Sequence, residues 1–183
     1  MILDSLLQFS ATAGDLITTS GGVIVSTNVI DLGIGATATT GIPLSTAGGG
    51  ARDIGIGDDP AMKILVLCGG TFAGGTSIII TLQGAIDDGT GVPAAFSAWW
   101  ASPTYLLAGL TAGTRLMDMD MPRPPAGVAI PRFLRLGYTV AGTFTGATSI
   151  LKAYLVLDRD DQFYSSTNNA IMGGYPAGIN VAN

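Results

Sequence analysis

The sequence predicts an all-β chain. Three observations carry that prediction: runs of alternating apolar residues, an abundance of glycine, and acidic residues drawn wholly from aspartate. The 183 residues include 27 glycines and only two lysines, and all 13 acidic side chains are aspartate. Glutamate and lysine favour helix interiors, whereas aspartate and glycine favour caps and turns, so the composition turns the chain away from helix. The alternating runs are bounded by Gly, Pro, Asp and Asn, as strands are.

In chain order, Met1 to Phe9 offers a short helical face from Ile2, Leu3, Leu6 and Leu7, too brief to be stable alone. VIVSTNVIDLG (23–33) reads as the first strand. The stretch 35–60 is longer than a hairpin turn and predicts a functional loop or an extended arm. AMKILVLC (61–68) and TSIIITLQGA (76–85) are strands rich in β-branched and aliphatic residues, and 103–119 supplies one or two more.

PRFLRLGYTV (131–140) and SILKAYLVLD (149–158), joined by glycines and threonines, read as a hairpin. In its first run Leu134, Leu136, Tyr138 and Val140 share a face. In its second, Leu151, Ala153, Leu155 and Leu157 share one, with Lys152, Tyr154, Val156 and Asp158 on the other. Seven or eight strands on one core give a two-sheet sandwich or a barrel. The expected organisation is a β-domain over 1–161 and an uncharged C-terminal arm over 162–183. The arm carries Phe163, Tyr164, Ile171, Met172, Tyr175 and Ile179 and is expected to dock on this or another subunit; the alternative is a last edge strand with a frayed end.

Composition narrows the function. A net charge of −5 and a pI near 4.3 argue against nucleic-acid binding, which needs a basic face for phosphates. No apolar stretch is long and unbroken enough for a membrane span, and MILDSLLQF lacks the basic start of a secretory signal; the reading is a soluble, membrane-free protein. Charged residues make up 11% and mean hydropathy is +0.49, which fits a surface that is neutral and polar or hidden against neighbouring chains. The single cysteine, Cys68, lies in an apolar run and reads as a small buried hydrophobe.

With no histidine there is no imidazole base, no Ser-His-Asp triad and no usual catalytic zinc site. GIGATA and GIGDDP lack the third glycine of a dinucleotide loop and read as turns. Asp58 and Asp59, Asp87 and Asp88, Asp118 and Asp120, and the DRDD run at 158–161 are the carboxylate pairs available for acid–base work or a structural calcium. Asp87–Asp88 precede Gly-Thr-Gly and Asp58–Asp59 precede proline, which are turn positions. The expectation is therefore no enzyme and no cofactor.

Two groups are candidates for contact. Trp99, Trp100 and Tyr105 form an aromatic patch suited to core or interface packing, with sugar stacking as the alternative. Arg115, Arg123, Arg132 and Arg135 are the densest positive cluster, and arginine suits bidentate pairing with a carboxylate across an interface. A solvated edge is the equal alternative for this cluster. The candidate partner-interface residues are Arg123, Arg132 and Arg135 of the cluster with Lys152, Tyr154, Tyr164, Tyr175 and Ile179.

Taken in order, MILDSLLQFS, STNVIDLG (26–33), RDIGIGDD (52–59), PRFLRLGYTVAGTFTGATSILKAYLVLDRDD (131–161) and YPAGINV (175–181) resemble a family of tailed-phage capsid cement, or decoration, proteins typified by one from a Bordetella phage. The resemblance spans nearly the whole chain and includes no catalytic motif. It implies a jelly-roll-like antiparallel β-sandwich without enzymatic activity. It also implies a homo-oligomer, a dimer more readily than a trimer, bound to the major capsid protein on the outside of an HK97-type head and assembled in the host cytoplasm. A carbohydrate-binding or receptor-recognition sandwich is the alternative.

Overall fold

Alternating apolar and polar residues build strands only where each strand finds a partner on both flanks or at a sheet edge, and fourteen such segments are found among the described residues. In a computed structural model, residues 7–11, 13–18, 22–32, 62–123, 125–129 and 131–156 are described, with the backbone of 164–165 and 170–171. The strands are β1 (Asp15–Leu16), β2 (Val23–Val25), β3 (Ile30–Asp31), β4 (Lys63–Cys68), β5 (Ala73–Gly74), β6 (Ser77–Ala85) and β7 (Ser97–Ala101). They continue with β8 (Tyr105–Leu106), β9 (Arg115–Asp120), β10 (Phe133–Ala141), β11 (Phe144–Thr145), β12 (Ile150–Val156), β13 (Tyr164–Ser165) and β14 (Ala170–Ile171).

One sheet runs β1-β12-β4-β9. The other runs β2-β10-β6-β7, with β3 also beside β10 and β8 also beside β6. Every pairing is antiparallel. Counting β2 with β3 and β7 with β8, eight main strands alternate between the sheets except at the β6–β7 connection. The chain order within the sheets is thus first-eighth-third-sixth and second-seventh-fourth-fifth, the arrangement of a jelly roll. The expected all-β sandwich is the fold.

The core lies between the sheets. Ile64 and Val66 of β4, Ile78, Ile80 and Leu82 of β6, Leu134, Leu136 and Tyr138 of β10, and Leu151, Ala153 and Leu155 of β12 are all buried in one cluster. Cys68 joins them, and its burial pushes the thiol up to about 11, so it is an inert apolar filler at neutral pH.

The structure corrects the expected hairpin. β10 and β12 do not pair: β10 bonds to β6, β2 and β3, and β12 bonds to β4 and β1. The glycine-rich link between them turns at Gly142 (φ +77°) and Gly146 (φ +93°) and carries β11, which pairs with β5 instead. Phe144 of β11 packs edge-on against Phe72, with centroids 5.2 Å apart, and closes that end of the core. The two apolar faces therefore meet across the sandwich as its two layers.

VIVSTNVIDLG is also two strands rather than one. The Ser26 hydroxyl takes the Leu136 amide at 3.0 Å and donates to the Asn28 carbonyl at 3.0 Å, so a side chain replaces the ladder and the strand breaks. SAWWA, which no sequence signal marked as a strand, forms β7. On the outer side of the first sheet, Leu65, Tyr154 and Val156 form a second small buried cluster.

Several expectations lie outside the described residues: the helical face of Met1 to Leu6, the 35–60 loop with Asp58 and Asp59, Leu157, the DRDD run, and the side chains of the 162–183 arm. Within that arm only the backbone pairing of β13 with β14 is described.

Candidate interaction surfaces

Arg132 stands where β3, β10 and the turn after β6 converge. Its Nε and Nη2 bond both Asp31 carboxylate oxygens at 2.9 Å, and its Nη1 donates to Asp87. This is the bidentate pairing expected of arginine, met here within the chain. Asp31 above all, then Asp87, raises the guanidinium pKa further. Asp87 in turn accepts the Gly91 and Gly89 amides at 2.9 and 2.8 Å. Those backbone bonds, helped by Arg132, hold its carboxyl below the usual range. Asp88 caps Thr90 in the same turn at 2.8 Å. The turn reading of the Asp87–Asp88 pair accounts for its chemistry.

Arg135 lies on the outer face of the second sheet, donating to Gln83 at 2.7 Å with its guanidinium 3.9 Å from the centroid of the Phe96 ring. Arg123 is exposed in the segment after β9. On the first sheet Lys152 is half-buried and Tyr154 buried; Tyr164, Tyr175 and Ile179 have side chains outside the described residues. The described members of the predicted interface group thus lie on several surfaces. Among the described residues no group of three acidic or thiol side chains is placed to hold a metal ion.

The aromatic trio does not form a platform. Trp100 is paired opposite core-facing Leu82 and packs on the main core. Tyr105 packs there too, and its hydroxyl donates to the Leu116 carbonyl, tying β8 to β9. Trp99 packs on the core as well, but at a bulge opposite Leu82 and Gln83 that leaves it out of register. It lines a cleft of about 230 Å³ with Gly84, Ile86, Ser97, Val128 and Pro131. Its indole N–H is shielded and has no acceptor among the described residues, an omission that typically costs about 1–3 kcal/mol.

The two long margins of the sandwich differ. At the β9 margin, Lys63 meets Asp120 at 3.3 Å and Arg115 meets Asp118 at 3.9 Å, so charge covers the edge. At the β1 and β2 margin the large exposed side chains are apolar: Leu16 of β1 (51%), Val23 (60%) and Val25 (40%) of β2, and Val29 beyond, with Thr18 and Thr27 exposed among them. This margin is pinned from behind by polar bonds. Buried Asp15 accepts the Thr27 hydroxyl at 2.6 Å, the Thr27 and Ala11 amides at 3.2 and 3.4 Å, and the Tyr138 hydroxyl at 3.0 Å. Burial first, then the Asp15 charge, raises the Tyr138 phenol well above its ordinary value.

Asn28 adds bonds to the Gln8 and Ser10 carbonyls at 3.2 and 3.0 Å. Sequence reasoning missed Asp15, since its partners lie 12 and 123 residues away and no local pattern joins them.

No curated protein matches the chain. The family model Bbp16 matches residues 11–151, which span β1 through the start of β12 and so take in Asp15, the Trp99 cleft and Arg132. A match over more than half the length is decisive: the chain belongs to Bbp16, a Bordetella phage protein family.

Proposed function

We propose that the chain is a structural capsid cement, or decoration, protein. In this reading it binds the outside of an HK97-type phage head as a homo-oligomer, clamps neighbouring major capsid subunits, and does no chemical turnover. It resides on the outer virion surface after assembly in the host cytoplasm and touches neither nucleic acid nor membrane. The match to a phage protein family over 11–151 carries the reading, together with the cement-protein resemblance of the segments around it.

The β1 and β2 margin supports it physically. Val23 and Val25 stand exposed on a strand bonded on one side to β10, and exposed apolar surface with an open backbone edge favours contact with another chain. The buried polar bonds of Asp15 and Ser26 hold that margin rigid, so little ordering entropy is lost on docking. Many such contacts repeated over a shell add up by avidity, which suits a clamp against internal pressure.

Co-sedimentation with empty heads lacking the protein tests the proposal. Saturable binding by the full chain is the expected result, and comparison with a chain ending at Asp161 assigns the arm its share. No binding by either chain removes the capsid reading.

A further inference from the structure

Strands β2, β10, β6 and β7 of the second sheet carry one charged side chain among them, Arg135. It stands on the outer face, and alternation puts Val23 and Val25 there too: Ile24 and Tyr138 pack on the core, while Val25 is paired with Gly137 and Val23 with Thr139. Ala98, paired with Gln83, continues the face on the other side. The ground around the cation is therefore neutral, and Val23, Val25, Thr139 and Ala98 are exposed on it.

Arg135 is held in place on this face. Its Nε donates to Gln83 Oε1 at 2.7 Å, and its guanidinium lies 3.9 Å from the centroid of the Phe96 ring. Gly137 makes room for that grip, since a Cβ there would stand 2.7 Å from both Gln83 Nε2 and Thr81 Oγ1. Yet the two Nη groups of Arg135 meet no acceptor among the described residues, whereas the Arg132 guanidinium meets two carboxylates. Partial burial lowers the Arg135 pKa, as for a charge that has lost water without gaining a counter-ion.

We infer that the outer face of the second sheet receives a carboxylate of the shell subunit on the Nη edge of Arg135, with neutral surface around that carboxylate seated on Val23 and Val25. A guanidinium already fixed through its Nε and its ring contact loses little freedom in forming a fork with a carboxylate. A second copy of this chain does not fit: two-fold pairing sets the same patch against itself, and these four strands have no carboxylate to offer. Nucleic acid does not fit either, since one arginine on a chain of net charge −5 makes no phosphate track.

The inference rests on the capsid reading and names the chemistry of its contact. Its test is binding to empty heads lacking the protein over a range of salt, together with arginine modification by phenylglyoxal, read by mass spectrometry on free and head-bound protein. Arg135 is expected to react in the free chain and to be protected on the heads. Arg135→Met, which keeps the apolar stem and removes the fork, is expected to weaken binding about tenfold and to flatten its salt dependence. Arg135→Lys, which keeps the charge without the fork, is expected to weaken it about threefold. Heads that bind the wild type and Arg135→Met equally, or that leave Arg135 reactive, overturn this inference and leave the capsid reading standing. Heads that do not bind the wild type overturn both. Self-association of the free chain that protects Arg135 and is lost in Arg135→Met would overturn the shell assignment in favour of a second copy.

Discussion

The β9 margin and the β1/β2 margin occupy opposite sides of one sandwich, yet they solve the edge problem in opposite ways. At β9 the ion pairs Lys63–Asp120 and Arg115–Asp118 lie in the open, where water and salt weaken them and where charge discourages pairing with another chain. At β1 and β2 Asp15 and Ser26 are buried, and valine and leucine are left outside beside the threonines. The difference teaches that the placement of polar bonds decides whether an edge strand shows charge or apolar side chains to solvent. Surface polarity at β9 protects, whereas buried polarity at β1/β2 fixes shape.

Substitutions can break this comparison. Removing the buried carboxylate with Asp15→Ala leaves the Tyr138 hydroxyl and the Thr27 hydroxyl and amide without their acceptor. Unfolding in urea is expected to show a loss of about 3 kcal/mol. A loss below about 1 kcal/mol would mean that the hub is ornamental. Gly14→Ala acts on the same margin: Gly14 has φ +94°, and a Cβ there would stand 2.2 Å from Ile150 Cγ2 and 2.8 Å from the Leu151 carbonyl. A loss of about 2 kcal/mol is expected, since both backbone strain and collision with β12 oppose the methyl. A wild-type urea midpoint would contradict that close approach.

Proton linkage sharpens the same side. Tyr138 is held neutral in the folded protein by burial and by Asp15, while an unfolded tyrosine ionises near pH ~10. Its folded pKa is raised, so its contribution is whole below that pH and is lost as the pH rises, by about 1.4 kcal/mol per unit for one proton. The urea midpoint is expected to fall steeply above pH ~10. Tyr138→Phe is expected to flatten that part of the profile; an unchanged slope would assign the alkaline transition to other groups. The smallest effect belongs to the opposite margin: Asp120→Ala removes an exposed ion pair and is expected to cost at most about 0.5 kcal/mol, vanishing in high salt.

Much of this was legible in the sequence because period-two patterning is local. Ile78, Ile80 and Leu82, or Leu151, Ala153 and Leu155, declare a buried face without reference to any other element. What joins to what is not local. The run 132–158 has the composition of a hairpin, but its central Phe144 is drawn to Phe72, and this contact opens the link into a crossing between sheets. The break at Ser26 was hidden for a like reason, since a serine within a β-branched run signals nothing until Leu136 comes beside it. Among site residues, arginine pairing was foreseen in kind, but its carboxylates, Asp31 and Asp87, lie 101 and 45 residues from Arg132 within the same chain. Trp99 and Trp100 are adjacent in sequence and both pack on the core, and only the bulge on β7 sets Trp99 beside the cleft.

The most direct test of the account is co-sedimentation with empty heads of two folded variants, one at each margin. Val23→Asp combined with Val25→Asp puts charge on the apolar edge at exposed positions, and Asp118→Ala combined with Asp120→Ala removes charge from the other. The account predicts that the first pair keeps a cooperative unfolding transition and loses binding to the heads, while the second pair binds like the wild type. Full binding by the valine variant, or loss confined to the aspartate variant, would contradict it.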